Sequence, residues 1–191
     1  AGNEPSESEF KQLFLNEYYP YCEGRLVSLG GYKIKWNQLV ENGDFINTNK
    51  WSTSVATFTV NNNIATITTT GAGGITQNKT FTAGHKYLAI VSIKKANAND
   101  NIGLRIADRF TYAENTTEWQ ILANLTTAPS NIVDNNIYIS GRTGNITFQA
   151  KSAMLFDLTE MFGPGSEPTL EEFEDMFGTQ YSPYDAGMEM N

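Results

Sequence analysis

The chain has 191 residues, 40% of them hydrophobic and 12% aromatic, which is enough to bury the core of one domain with appended segments. Its net charge of −8, from 13 basic and 21 acidic residues, argues against binding a nucleic-acid backbone or an anionic membrane surface, because both require clustered lysine and arginine. The sequence has no apolar run of about 18 residues, so it predicts no membrane-spanning helix.

The first predicted element of the chain is repeated at its end. Residues 2–24 align without a gap to residues 165–187. The identical positions in the first copy are Gly2, Glu4, Pro5, Glu9, Phe10, Phe14, Tyr18, Pro20, Tyr21 and Gly24. Internal repetition of this kind indicates an array of modules. We therefore expect the first copy to be the tail of a preceding repeat and the second copy to be this module's own tail.

Each copy is predicted to form a short capped helix. In the second copy, Thr169 and Glu172 have the spacing of a capping box, and Ser6 and Glu9 have it in the first. Phe173 and Phe177 lie four residues apart on one helix face. Because so short a helix is unstable alone, we expect these rings to dock on the adjoining domain.

Between the two copies, strand-like alternation dominates. Turn signals occur at 61–63, 71–74, 97–100 and 141–144, and the glycine-rich run at 71–74 is interpreted as a hairpin loop. Strands are predicted at 55–60, 63–70, 86–93, 101–107, 117–122, 136–140 and 145–157. So many short strands in so few residues predict a β-sandwich or a barrel. The resulting domain boundaries are a tail helix and linker of a preceding repeat at 1–36, the β-domain at 37–160, and a C-terminal helix and linker at 161–191.

The start and end of the β-domain resemble those of a known family. The segment NQLVENGDF at 37–45, then Trp51, the threonine-rich strands and the closing AMLFDL at 153–158 are similar to carbohydrate-binding modules of families four and nine. That resemblance implies an all-β fold, a jelly-roll β-sandwich of the galactose-binding-like type with short flanking α-helices. It also implies attachment to a cell-surface or dietary glycan.

The tail of the module carries a second resemblance. The segment LFDLTEMFGPGSEPTLEEF at 155–173 looks like one common in tail and fibre proteins of phages and prophages of Gram-positive gut bacteria. This resemblance implies location on a virion (a phage tail) or outside the cell, with neighbouring repeats of the same chain as partners.

Modules of the resembled family often hold a structural calcium ion. The resemblance implies that Asp157 on the last strand and Asp44, within the opening segment, are the metal-ligand candidates. Calcium requires several oxygen ligands. The chain departs from the family pattern here, because Ile46 and Asn47 follow Phe45 where an acidic residue is expected.

The residues predict no catalysis. His85 and Cys22 are the single histidine and the single cysteine of the chain, which leaves no zinc site and no plausible nucleophile–base pair. The acidic residues concentrate in the terminal segment, where they fit a solvated helix face better than a paired-carboxylate site. The sequence therefore predicts a protein that is not an enzyme.

Aromatic and arginine side chains remain as candidate ligand contacts, because a sugar's apolar face stacks on an aromatic ring. Tyr112 falls in a predicted loop at 108–114, Arg105 precedes it, and Tyr138 alternates with core isoleucines. Trp119 is a further candidate, although a core position is the more ordinary interpretation, as it is for Trp51.

Two functions stay open at this point. The first is a non-catalytic glycan-binding, adhesive module of a multi-repeat phage tail or cell-surface protein. The second is a purely structural spacer or oligomerisation module of a phage tail or fibre that binds no sugar. An accessory domain of a secreted hydrolase is a weaker third. A groove lined by Tyr112, Arg105 and Tyr138 favours binding, whereas a flat threonine- and asparagine-rich surface favours structure.

Overall fold

The computed structural model describes residues 26–29, 32–35 and 38–177. The predicted N-terminal helix with its Ser6–Glu9 capping box lies outside the described residues, as does the chain after 177. The strands are β1 Leu26–Leu29, β2 Tyr32–Lys35, β3 Ser52–Asn61, β4 Ile64–Asn78, β5 Lys86–Lys95, β6 Ile102–Ile106, β7 Arg109–Tyr112, β8 Gln120–Thr127, β9 Asn136–Gly141 and β10 Thr147–Asp157. The helices are α1 Leu158–Phe162 and α2 Leu170–Phe177.

The strands β1 and β2 form a separate two-stranded sheet, and the other eight form one antiparallel path in the order β7-β6-β9-β4-β10-β5-β8, with β3 also on β4. The path folds into two layers because β4 belongs to both. Its first half pairs with β10 and its second half pairs with β9. We call these the β10 layer (β4, β10, β5, β8) and the β9 layer (β4, β9, β6, β7). The predicted jelly-roll β-sandwich with short flanking helices is confirmed.

The corner at which β4 changes layer is the glycine-rich run at 71–74. The hairpin-loop prediction for this run is wrong, because the run lies inside β4. Gly74 passes so close to β9 that an added Cβ would lie 2.0 Å from the Ile139 carbonyl oxygen. The neighbouring β3 bulges at the same level, where Val55 has a positive φ of 48°. The glycines therefore let the strand bend at a corner of the sandwich.

Two other strand predictions needed correction. The segment 109–112 is strand β7 rather than part of a loop, and the predicted strand at 117–122 begins later, at Gln120. Both changes follow from pairing, since β7 lies against β6 and β8 lies against β5. By contrast, Asn62 and Asn63 form the predicted turn, with φ values of 49° and 60° that suit a two-residue hairpin.

The core lies between the two layers. Trp51 is buried against Phe45 with ring centroids 5.2 Å apart, which confirms its predicted core position, and its Nε1 donates to the Asn42 carbonyl at 3.0 Å. Asn124 ties the layers together, because its side-chain amide donates to the carbonyls of Leu104 at 3.0 Å and Arg109 at 2.8 Å. Other fully buried members of this core include Ile67, Ile75, Val91, Ile93, Ile106, Ile137, Ile139 and Phe148.

The C-terminal helices cover the outer surface of the β10 layer. Phe173 is only 2% exposed and lies 5.8 Å from the ring centre of Phe156, in a second apolar cluster with Leu88 and Ile90. The predicted capping box is present: the Thr169 amide donates to Glu172 at 2.7 Å, and the Glu172 amide donates to the Thr169 hydroxyl at 3.2 Å. The module's tail thus docks on its own sandwich, as the sequence predicts.

Candidate functional site

The outer surface of the β9 layer carries three of the four predicted ligand contacts. Leu104 and Ile106 are in the core, so Arg105 between them faces outward. The strand register places Arg105 directly opposite Phe110 on β7 and opposite Tyr138 on β9. Tyr112 follows Phe110 on the same side of β7. Arg105, Tyr112 and Tyr138 therefore share one surface, as their predicted common role requires.

The side chains on this surface are stacked on one another. The Arg105 guanidinium carbon lies 5.1 Å from the ring centre of Tyr138 and 5.4 Å from that of Phe110. The guanidinium of Arg142 lies closer to Phe110, at 4.3 Å. The rings of Phe110 and Tyr112 are nearly parallel, at 8°, with centroids 5.7 Å apart. We call Arg105, Phe110, Tyr112, Tyr138 and Arg142 the arginine–aromatic face.

Strand β6 has no side chain at the point where the rings of Phe110 and Tyr112 lie on it. An added Cβ on Gly103 would be 3.0 Å from Phe110 and 3.2 Å from Tyr112, so glycine is what lets both rings rest on β6. Across the sheet, Gly103 pairs with Ser140, which pairs with Gly74. The Ser140 hydroxyl is buried without a hydrogen-bond partner among the described residues. A buried polar atom of this kind is uncommon.

Arg105 is held in place from one side. Its Nη1 donates to the Asp134 carboxylate, and its Nη2 donates to the Asn136 side-chain oxygen at 3.1 Å. Only 16% of the Arg105 side chain is exposed. Guanidinium–carboxylate pairs are directional, so the pair fixes the plane on which the rings of Phe110 and Tyr138 stack. Arg105 thus connects the arginine–aromatic face to the loop before β9.

That loop forms one wall of a surface cavity of about 500 Å³. The cavity is contiguous with the arginine–aromatic face through Asn136, which both lines it and accepts from Arg105. Polar residues dominate its lining, which suits hydrogen bonding to hydroxyl groups. The lining residues are Asn78, Lys79, Thr80, Val133, Asp134, Asn135 and Asn136.

The β6–β7 turn holds the cavity wall in position. Ala107 and Asp108 have φ values of 44° and 64°, as a two-residue hairpin turn requires. The Asp108 carboxylate accepts from the backbone amides of Val133 at 2.7 Å and Asp134 at 2.8 Å. The hydrogen bond from Val133 is the main cause that lowers the pKa of Asp108. The carboxylate is therefore ionised, and it links the turn to the loop.

Lys79 is the cation of the cavity. Burial lowers the pKa of its amine, and the charge of Glu41 partly opposes that shift. Its backbone amide donates to the Asn135 carbonyl at 2.9 Å, which joins the end of β4 to the loop before β9. The two walls of the cavity are thereby tied together by main-chain contact.

Trp119, the fourth predicted ligand contact, lies elsewhere. It precedes β8 and is half-buried under the Lys151 ammonium, which is 4.9 Å from its ring centre. Lys151 follows the core residue Ala150 and therefore points to the outer surface of the β10 layer. Trp119 is thus separated from the arginine–aromatic face by the thickness of the sandwich.

The two predicted calcium ligands lie near different parts of β10: Asp44 is in the segment beside Ala153, and Asp157 is the last residue of the strand. Asp44 adjoins Gly43, whose carbonyl accepts from the Ala153 amide. Asp157 lies four positions further along the strand, which corresponds to about 10 Å or more. Its carboxylate contacts His85 Nδ1 at 2.8 Å and accepts from the Glu160 amide at 2.9 Å, capping α1.

Within the described ranges, no group of three or more histidine, cysteine, aspartate or glutamate residues is arranged to hold a metal ion. The calcium site stays a prediction. No helix in the described part of the chain is long and apolar enough to cross a membrane.

Sequence reasoning missed several members of the site. Phe110 and Arg142 were not singled out, and neither was the cavity lining. The available signal was the alternation of polar and aromatic residues in Arg109–Tyr112, which is typical of a short edge strand. Arg142 carried no signal, because it reaches Phe110 only through the order in which β9, β6 and β7 pair.

No protein-family model and no curated protein matches the chain. Solved structures match with low identity. A CBM4 module is 19% identical and covers 61% of this chain and 98% of its own, with a TM-score of 0.44. A C-terminal family 22 carbohydrate-binding module from Clostridium thermocellum is 13% identical over 63% and 89%, with a TM-score of 0.46. A bacteriophage CBA120 tailspike protein 4 domain, described as enzymatically active, is 12% identical over 62% and 21%, also at 0.46. At these identities the likeness concerns the fold alone.

Proposed function

We propose that this chain is a non-catalytic glycan-binding module, and that the glycan lies on the arginine–aromatic face. The observation that carries the proposal is the exposed ring of Tyr112, 48% accessible and held parallel to Phe110, on the same outer surface as a cavity lined by polar residues. A sugar ring presents an apolar face to an aromatic side chain and hydroxyl groups to its surroundings. The two ends of this surface offer these two kinds of contact.

The size of the surface favours an oligosaccharide over a single sugar. Tyr112 lies two strands away from β9 and, measured along the strands, four residues from Asn136, which borders the cavity. Strand spacing and rise make that diagonal roughly 16 Å. A ligand that touches both ends is therefore several sugar units long, and a shallow site of this kind gives weak affinity for a single module.

The parent protein is proposed to be a multi-repeat phage tail or cell-surface protein that acts on the virion or outside the cell. The support is the recurrence of the tail motif at 2–24 and 165–187, together with the docking of the second copy on this sandwich. Several modules on one chain raise the effective concentration of the sites, so an array is expected to bind cells far better than one module.

A structural role without sugar binding is the second candidate. The observation in its favour is the burial of Phe173, which anchors α2 to the sandwich. A spacer needs such a rigid attachment of its connecting segment. It does not need an exposed tyrosine on the same surface as a polar cavity.

A glycan array probed with the full chain, followed by calorimetric titration of the glycans that bind, tests the proposal. Tyr112→Ala is expected to lose measurable binding and to keep its melting temperature, because the ring is exposed. Trp119→Ala is the matched control, since it removes an aromatic ring from the other layer. Equal binding by Tyr112→Ala and the parent chain would place the glycan elsewhere, and absence of binding to every glycan would favour the structural role.

A further inference from the structure

We infer that the glycan recognised by this module is acidic, and that Arg142 binds its negative group. The inference rests on the proposed function, since it assigns the chemical class of the ligand to the same surface. Uronic acids, phosphodiester-linked glycans and sulfated glycans share the required chemistry, namely an anionic oxygen group on a saccharide.

Arg142 is the cation of this surface whose charge is unmatched. It is exposed, and within residues 38–177 it makes no ion pair with an acidic side chain. Its backbone amide donates to the Asn101 carbonyl at 2.8 Å, which holds the main chain next to β6. To reach Phe110 from the end of β9, its side chain crosses β6, where Gly103 has no side chain to obstruct it. The guanidinium is therefore presented on the surface, with the ring beneath it.

Arg105 has a different role, because its charge is already matched. Its guanidinium is bound by Asp134 and Asn136 and is mostly buried. Asp108, at the same end of β6 as Asp134, accepts two backbone amides and faces the loop before β9. These two carboxylates are thus engaged by the protein, and no acidic side chain in the described part of the chain makes an ion pair with Arg142. The positive charge of Arg142 is left for a ligand.

The stacking geometry also argues against a purely neutral ligand. A guanidinium that lies 4.3 Å from the centre of Phe110 covers the face of that ring. One sugar unit therefore stacks on Tyr112. The next sugar unit of the same glycan meets the guanidinium N–H groups of Arg142 above Phe110. Those donors are planar and match carboxylate, phosphate and sulfate oxygens in pairs.

Because the chain is acidic overall, binding of an acidic glycan requires a local positive charge. With a net charge of −8, the protein repels polyanions in general. An acidic glycan is bound only where an arginine compensates for that repulsion. Binding is therefore expected to depend on Arg142.

The experiment compares acidic and neutral forms of the same saccharide on the full chain. Oligogalacturonate is titrated against its methyl ester, a phosphodiester-linked glycan against its dephosphorylated form, and a sulfated glycan against its desulfated form. At least one acidic form is expected to bind more tightly than its neutral partner. Arg142→Gln should weaken that binding about tenfold to a hundredfold, which is the usual effect of losing a charge-assisted hydrogen bond.

Arg109→Gln is the control for charge alone. Arg109 is exposed on the same hairpin, but it alternates with Phe110 and so points away from the arginine–aromatic face. It is expected to leave binding of the acidic form nearly unchanged. Arg142→Lys should recover only part of the affinity, since lysine lacks the planar fork.

The outcomes separate the two claims. Equal affinity for acidic and neutral forms, with no effect of Arg142→Gln, overturns the acidic-ligand inference and leaves the proposed glycan-binding function standing. Absence of binding to either form in every pair overturns the acidic-ligand inference, and binding to no glycan on the array overturns the proposed function as well. Preference for one acidic class identifies which anionic group the site takes.

Discussion

Removing the ring of Phe173 is the sharpest available test of how the C-terminal segment is attached. This side chain is 2% exposed and lies 5.8 Å from the ring of Phe156, on the outer surface of the β10 layer. It belongs to α2, whose eight residues are too few to form a stable helix without tertiary contacts. Phe173→Ala therefore tests the ring and the docking of the helix together.

The magnitude follows from burial. Truncating a buried phenylalanine to alanine costs about 3–5 kcal/mol in a rigid core. Helix α2 lies at the edge of the domain and is able to undock, which limits the loss to the free energy that its docking contributes. We expect a loss of about 2–4 kcal/mol in the free energy of unfolding, slightly below the rigid-core range. For a chain of this length, that corresponds to a fall of roughly 4–16 °C in melting temperature.

The assay is thermal and urea unfolding of the parent chain and of Phe173→Ala, followed by circular dichroism. Tyr112→Ala is the matched control, because it also removes an aromatic ring but from an exposed position. Undocking would also uncover Leu88 and Ile90, so the Phe173 variant is expected to bind a hydrophobic dye more strongly. If Phe173→Ala and Tyr112→Ala unfold at the same temperature as the parent chain, the reasoning about the docked tail is refuted.

Two further predictions concern the contacts that shape the site. Asn124→Ala is expected to lower the free energy of unfolding by about 1–3 kcal/mol, because it leaves the carbonyls of Leu104 and Arg109 without their donor. Thr127→Ala on the same strand is the control and should lower it little. Equal midpoints of urea unfolding for the two variants would contradict this. The pKa of Asp108 is lowered in the folded state by its hydrogen bonds, so its contribution to stability is present above about pH 4 and is lost as the pH falls through the lower folded value. Asp108→Ala is therefore expected to melt below the parent chain at neutral pH and to approach its melting temperature as the pH falls through the folded pKa of Asp108. A gap in melting temperature that widens on acidification would show that the sign is wrong.

Much of the fold was predictable because it depends on local patterns. Alternation of apolar and polar residues identified most of the strands, and the outward positions of Arg105 and Tyr138 follow from the same alternation. The capping box at Thr169 and Glu172 was predictable for a similar reason, since its donors and acceptors lie within one helical turn. The tail motif at 165–187 was visible because a similar segment recurs at 2–24 with ten identical positions.

The wrong strand and turn predictions fall where one local sequence pattern is compatible with two structures. A glycine-rich run such as 71–74 is typical of a turn, but here β3 and β9 pair with the strand on either side and keep it extended through a corner. The short segment Arg109–Tyr112 is too brief to be recognised alone, and it becomes a strand because β6 supplies its hydrogen-bond partners. In both cases the deciding contact is pairing with another strand, which the local pattern does not reveal.

The sequence by itself determined the class of fold, the repeated tail and the surface to which individual strand residues point. Tertiary structure alone decided which of those residues meet. Arg105, Tyr138 and Phe110 come from three strands brought together by the order of pairing, and Trp119 is removed from them by the thickness of the sandwich. The physical reason is that alternation specifies only the side of a strand on which a residue lies. Its neighbours across the sheet depend on long-range register, which is set by the packing of the whole core.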